Sequence, residues 1–265
     1  MRSINIATMA VFSLLVRPAN ADSPPATHLD FLVYAAGLNV VRLQSDVEFA
    51  ADRYRVNLTY QTAGLFGAIF SSQITSFAHG RWSDAQPKPV RFASWGQLRG
   101  EERRTVIDYV NGQPAIRELR PATDTDRDPV PLNQQHDTID TLSAIAMLVR
   151  QVATMGRCDG HAMTFDGRRL SEINARTVGS EELKPEGGSE FSGTALRCEI
   201  IGRQLAGFKH DEDDASLRKL HYSTVWLAPV VPTGPKLPVR VVFETPFFGH
   251  ATAYLTAAAP RGPIE

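Results

Sequence analysis

The sequence lacks most of the patterns that identify an enzyme, a nucleic-acid-binding protein or a membrane protein. Its formal net charge is −1, so it offers no basic surface to hold nucleic acid. The motifs H-E-x-x-H, G-x-S-x-G and G-x-G-x-x-G are absent, so we expect no catalytic residue, no cofactor and no metal site. Beyond the N-terminus no stretch reaches the roughly 20 apolar residues that a membrane-spanning helix requires. We therefore expect a protein that is not an enzyme and spans no membrane.

The N-terminus has the three parts of a secretory signal peptide. Arg2 supplies the positive charge, Ile6 to Val16 form a short apolar run, and Ala19-Asn20-Ala21 match the small-x-small cleavage pattern. We predict a cleaved signal over residues 1–21. Asp22 follows the cleavage site where a lipoprotein would carry cysteine, so the mature chain is expected in the periplasm without a lipid anchor.

Alternating apolar and polar residues predict that residues 22–256 form one β-rich domain. Tyr54, Val56, Leu58 and Tyr60 alternate with polar residues, and a similar run from Val41 to Phe49 precedes them. This period of two is typical of half-buried antiparallel strands. Further strands are predicted from Leu29 to Ala35 and, repeatedly, from Arg91 to Thr256. Residues 257–265 are predicted to be a disordered tail.

Two segments interrupt the strand pattern. Asp140 to Met155 has Leu142, Ile145, Val149 and Val152 at helical spacing, and Asp140 is a suitable N-cap. Ala63 to Phe70 is apolar all round and is predicted to be a short helix or a plug. One main helix among many strands favours a mainly β fold, in which a strongly curved antiparallel sheet forms an open barrel or β-spiral around that helix.

Cys158 and Cys198 are the two cysteines of the chain. In an oxidising compartment two such residues most simply form one structural disulfide. Closing about 40 residues would stabilise the fold by about 4 kcal/mol in the chain-entropy model. A redox pair, or a zinc site with Asp159 and His161, is the weaker interpretation because neither spacing is diagnostic.

Large aromatic side chains are the candidates for a ligand-binding surface. Most aromatic residues of a globular protein belong to its core, but a curved sheet that one helix cannot fill would leave some of them lining a cavity. We expect the lining residues to be Trp95, Trp226, Phe66, Phe70 and Phe243.

Two polar clusters are weaker candidates for chemistry. His161 and Asp166 are close in sequence and could serve a hydrolase. Lys209 to Asp214 groups acidic residues with a histidine, but it lacks the spacing of a calcium loop and is better explained as a solvated turn.

Several stretches, in their order along the chain, resemble one known family: "VYAAGLNV", "YQTAGLFGAIF", "DTIDTLSAIAML", "RCDG" with "FDGRR", "LRCEI" and "VWLAP" with "LPVRVVFETPFF". The chain resembles the bacterial envelope family catalogued as domain of unknown function 3108. The resemblance implies an exported β-rich protein similar in architecture to periplasmic lipoprotein carriers, with Cys158 paired to Cys198. It implies no activity and no catalytic residue.

We therefore expect a periplasmic protein that binds an apolar ligand, such as a lipid, or an envelope partner protein. The alternatives are a structural envelope-maintenance partner without a ligand and, least favoured, an envelope hydrolase. The oligomeric state, the ligand and the pathway are not indicated by the sequence.

Overall fold

The computed structural model describes residues 25–122, 127–210, 219–245, 249–262 and 264. The predicted signal peptide lies outside these residues. The described chain forms one antiparallel sheet of 13 strands, and two α-helices accompany it. This architecture confirms the predicted mainly β class and the predicted open, curved sheet.

The first seven strands run consecutively, and the last six follow the main helix. The first group comprises β1 Ala26–Ala35, β2 Leu38–Phe49, β3 Arg53–Thr62, β4 Ser72–Ser83, β5 Gln86–Leu98, β6 Glu101–Val110 and β7 Gln113–Arg120. The second group comprises β8 Gly160–Phe165, β9 Leu170–Leu183, β10 Gly193–Ala206, β11 His221–Pro229, β12 Lys236–Thr245 and β13 Gly249–Arg261. The helices are α1 Gly64–Ile69 and α2 Thr141–Met155.

The first and last strands pair with each other and join the two groups into one sheet. The spatial order runs from β7 down to β1, then from β13 down to β8. The edges of the sheet are therefore β7 and β8, and α2 lies between them in sequence. Ile139, just before α2, forms a parallel bridge with Thr164 of β8.

The main helix begins and ends as its sequence predicts. The Asp140 carboxylate accepts a hydrogen bond from the Ser143 N–H at 2.8 Å, and Gly156 ends the helix in the left-handed conformation at φ 71°. Leu142, Val149 and Val152 are buried. Ile145 is 39% exposed, so the prediction that it belongs to the buried stripe is wrong.

The face of the sheet that packs on α2 is called the inner face. Tyr54 of β3 identifies it, because its hydroxyl lies 2.7 Å from that of Ser143 in α2. Tyr54, Val56 and Leu58 of β3 lie on this face, and the residues that pair with them in the neighbouring strands lie on it as well. The apolar core lies between the inner face and α2.

The sequence did not predict three parts of the sheet. In β4 the inner positions include Ser72, Ser76 and Gly80, which weaken the alternation. The edge strand β7 is short and contains a proline. The prediction of a disordered tail from residue 257 is wrong for Ala257 to Arg261, because these residues continue β13 and pair with β1 from Asp30 to Ala26.

Candidate functional site

The two cysteines form the disulfide that the sequence indicated. The sulfur atoms of Cys158 and Cys198 are 2.07 Å apart, and both residues are fully buried. The Thr177 hydroxyl accepts a hydrogen bond from the Cys158 N–H at 2.9 Å. The bond fastens the segment between α2 and β8 to β10 and leaves neither thiol available as a nucleophile or a metal ligand.

The prediction that Trp95 and Trp226 line the inner face is wrong. Trp95 pairs with Thr75 and Arg104, whose side chains point away from α2, and it is 43% exposed. Trp226 pairs with Arg240, also on the outer face. Successive side chains of a strand point to opposite faces of the sheet. Each tryptophan is one residue away from an inner position of its strand, so its side chain lies on the outer face.

Trp226 is nevertheless buried on that outer face. The guanidinium groups of Arg197 and Arg240 lie 5.7 and 5.8 Å from its ring, and its indole N–H donates to Glu181 at 2.9 Å. Trp226 therefore has a structural role in holding charged side chains of neighbouring strands together.

The three phenylalanine candidates do not assemble into one site. Phe66 of α1 and Phe70, which directly follows the helix, contact each other with ring centroids 5.2 Å apart, and Phe70 is exposed beneath Arg99. Phe243 lies on the inner face of β12 and is half-buried. Of the five residues, only Phe243 has the position on the sheet that the hypothesis required.

An apolar groove lies instead beside α2, against the inner faces of β8, β9 and β10. Its volume is about 100 Å³, and its walls include Ala144, Ile145 and Leu148 of the helix and Ile173, Ala175 and Ile200 of the sheet. The groove exists because Ala162 and Ala175 are small where the sheet faces the helix. The exposed Ile145 is the residue of the helical pattern that borders it.

A polar cleft adjoins this groove. It has a volume of about 470 Å³ and lies between β8, the first residues of β5 and the β6–β7 turn. Gln86, Lys88, Asn111 and Asp137 contribute polar groups to its walls. Met147, His161 and Ala162 line both spaces, so the apolar groove and the polar cleft lie next to each other.

His161 and Asp166 do not form the pair that a hydrolase hypothesis needs. His161 lies 3.3 Å from Glu172, while Asp166 accepts hydrogen bonds from the N–H groups of Arg168 and Arg169. Burial alone would raise the pKa of Asp166, but the Arg169 guanidinium and these N–H groups outweigh it and lower the pKa. The carboxylate thus stabilises its own turn.

A buried polar network lies at the start of α2. Asp140 accepts a hydrogen bond from the Ser143 hydroxyl at 2.5 Å, and burial raises the pKa of Asp140 to about 6 despite its hydrogen bonds. Burial and the nearby Asp140 also raise the pKa of Tyr54 and of Tyr109. Sequence reasoning found the cap but missed the network, since its members are far apart along the chain.

Within the described ranges, no group of three or more histidine, cysteine or acidic residues is arranged to hold a metal ion. His210 contacts Asp128 at 3.1 Å, and the acidic residues of the Lys209–Asp214 cluster lie outside the described residues. Neither α1, α2 nor any other described helix has the length and apolar character needed to cross a bilayer.

Comparison with solved structures shows a similar fold. The structure of a beta-barrel-like protein of domain of unknown function DUF1849 from Brucella abortus matches with a TM-score of 0.54 at 12% sequence identity, covering 92% of this chain and 100% of that chain. No curated protein matches the sequence. The model of the family described as "Protein of unknown function (DUF3108)" matches residues 30–256, and the chain therefore belongs to this family.

Proposed function

We propose that the protein is exported to the periplasm and there binds an amphiphilic ligand at the junction of the apolar groove and the polar cleft. The observation that carries this proposal is that two spaces of opposite character lie side by side and share Met147, His161 and Ala162 as wall residues. Binding sites for small molecules commonly combine apolar walls with a few polar groups that orient the ligand.

The size of the groove limits the apolar part of the ligand. An engineered apolar cavity of about 150 Å³ accommodates benzene, and the groove is about 100 Å³. It accommodates a short alkyl segment rather than a whole acyl chain. The wider polar cleft leaves room for a head group such as a sugar.

Export is supported by the N-terminal signal pattern and by the disulfide. Disulfides persist in the bacterial periplasm and are rare in the cytosol of mesophiles. The Cys158–Cys198 bond therefore fits an oxidising compartment.

A second candidate function is the binding of an envelope partner protein at the edge of the sheet. Ile139 pairs with only part of β8, through hydrogen bonds with Met163 and Phe165. The register directs the backbone groups of His161 towards the same free edge, where an extended partner segment would add a strand.

Calorimetric titration of delipidated protein with octyl glucoside, below its micelle concentration, tests the leading proposal. Ala144→Leu fills the groove, and Ala153→Leu makes the same change on the exposed side of α2. We expect wild type and Ala153→Leu to bind equally, and Ala144→Leu to bind at least tenfold more weakly. Equal binding by both variants, or no binding by wild type, would contradict the proposal.

A further inference from the structure

A residue beyond the last strand is bound to the outer face of the sheet. Ile264 is 7% exposed, although β13 ends at Arg261. Its N–H donates to the Glu48 carboxylate at 3.4 Å, and its carbonyl oxygen accepts a hydrogen bond from the Arg55 guanidinium. Side chains of β2 and β3 therefore hold both backbone polar groups of Ile264.

Glu48 and Arg55 form a polar pair across these two strands. They are paired in the register one residue away from Val47 and Val56 of the inner face, so their side chains lie on the outer face. Glu48 is nevertheless fully buried, with the guanidinium groups of Arg53 and Arg55 at 3.4 and 3.8 Å from its carboxylate. A carboxylate is rarely buried unless it is paired, and here the two arginines compensate its charge.

A second outer position beside Glu48 is also buried. Thr27 pairs with Val47 of the inner face, so Ala26 lies on the outer face next to Glu48, and it is 1% exposed. Buried residues on this face require a covering segment, and Ile264 is bound at this place. We call Ala26, Glu48 and Arg55 the outer pocket.

The outer pocket matches the backbone of an extended peptide. The N–H and C=O of one residue of an extended chain point to the same side, as they do in a hydrogen-bonded pair of an antiparallel sheet. A carboxylate and a guanidinium placed side by side therefore bind both groups of the same residue. The buried side chain of that residue is aliphatic in Ile264.

The attachment of Ile264 can be released without disturbing a strand. Gly262, which lies between β13 and Ile264, is exposed. Glycine is the conformationally freest residue, so the segment can leave the pocket while Arg261 keeps its pairing with Ala26.

We propose that the outer pocket is a peptide-binding site, whose occupant in this structure exchanges with an extended segment of a partner protein that carries an aliphatic residue. The ligand class follows from Ile264, the residue that the pocket binds here. Because Ile264 is tethered close to the pocket, its effective concentration is high, and a partner segment has to compete with it. The outer pocket lies on the opposite face from the apolar groove, so this inference does not rest on the proposed ligand.

An acetylated and amidated peptide of residues 262–265, Gly-Pro-Ile-Glu, probes the outer pocket. The variant Ile264→Gly removes the aliphatic side chain that competes with the peptide. We expect a saturable change in the chemical shift of the peptide's labelled isoleucine methyl group when this variant is added. Wild type should bind the peptide at least tenfold more weakly, because its own segment occupies the pocket.

Two further changes test the polar pair. Arg55→Met, made in the Ile264→Gly protein, removes the donor to the peptide carbonyl while Arg53 keeps Glu48 paired, and should weaken binding at least fivefold. The control Arg176→Met removes an arginine paired with Glu199 on the outer face of β9 and β10, and should leave binding unchanged. N-methylation of the peptide's isoleucine removes the N–H that Glu48 accepts and should also weaken binding at least fivefold.

Three results would overturn the inference. The first is a peptide that does not bind the Ile264→Gly protein, and the second is a peptide that wild type binds equally tightly, since its site would then lie elsewhere. The third is an affinity that Arg55→Met leaves unchanged. If Arg55→Met does not fold, the N-methylated peptide decides in its place, and equal binding of the two peptides contradicts recognition by the polar pair.

Discussion

The hydroxyl of Tyr54 lies 2.7 Å from the hydroxyl of Ser143, a residue 89 positions later in the chain. This contact joins β3 to the first turn of α2, and Ser143 in turn donates to the Asp140 carboxylate. The three residues are fully buried. They fix the N-terminal end of the helix against the inner face of the sheet.

Removing the Tyr54 hydroxyl tests this attachment. We expect Tyr54→Phe to lower the free energy of unfolding by about 1–2 kcal/mol, because one buried hydrogen bond is lost while Ser143 keeps Asp140 as a partner. Urea unfolding measures the change. The control Tyr222→Phe alters an exposed tyrosine and should stay within about 0.5 kcal/mol of wild type. Equal effects would show that the contact does not stabilise the helix.

Asp140 should make stability depend on pH. Burial raises its folded-state pKa from 3.8 to about 6, so between these values the folded state binds a proton that the unfolded state releases. The stabilisation is present at low pH and is lost as pH rises through the pKa of about 6. Asp140→Asn keeps the N-cap acceptor and cannot ionise.

The comparison of Asp140→Asn with wild type isolates this contribution. From pH 4 to pH 7, the stability of the variant relative to wild type should rise by about 2 kcal/mol, since one pKa unit corresponds to about 1.4 kcal/mol and part of the change falls below pH 4. Unfolding in urea across this pH range provides the measurement. A difference that does not vary with pH would contradict the raised pKa.

The disulfide should be closed in the folded protein and important for its stability. Protein unfolded without reductant should contain no free thiol, because both cysteines are bonded. Replacing both cysteines by serine should lower the free energy of unfolding by about 2–5 kcal/mol, measured under oxidising conditions. Reductant should destabilise wild type and leave the double variant unchanged. Two titratable thiols would show that the bond is absent.

The two outer tryptophans should differ in solvent access and in structural importance. Trp95 is exposed, so Trp95→Phe should remove much of the fluorescence that acrylamide quenches and have little effect on stability. Trp226→Phe should leave the quenching and lower the free energy of unfolding by about 1–3 kcal/mol, as the buried indole loses its contacts with Arg197 and Arg240 and its hydrogen bond to Glu181. Neither change should alter ligand binding. Weaker binding by either variant would show that the ligand contacts the outer face of the sheet, which contradicts a site in the groove.

The sequence predicted the sheet better than it predicted the site. Strands such as β3 alternate cleanly, and Asp140 and Gly156 mark the ends of α2 by local chemistry. The pairing of β1 with β13 depends on contacts between the two ends of the chain, which no local pattern encodes. The same limitation made the end of β13 resemble a disordered tail.

The candidate site was missed for a related reason. Large aromatic residues suggested a ligand surface, but Trp95 and Trp226 occupy the outer face. The groove arises where small residues face the helix, and small residues give little signal in a sequence. The exposure of Ile145, which borders the groove, depends on how far the sheet covers α2, and no local sequence pattern encodes that.

Methyl chemical shifts of isoleucine-labelled protein, titrated with octyl glucoside, show directly whether an amphiphile enters the apolar groove. Ile145, Ile173 and Ile200 line the groove, whereas Ile116 is exposed on the edge strand β7. We expect saturable shifts for the three groove residues and none for Ile116. Shifts that include Ile116 to the same extent, or no shift in the groove, would contradict it.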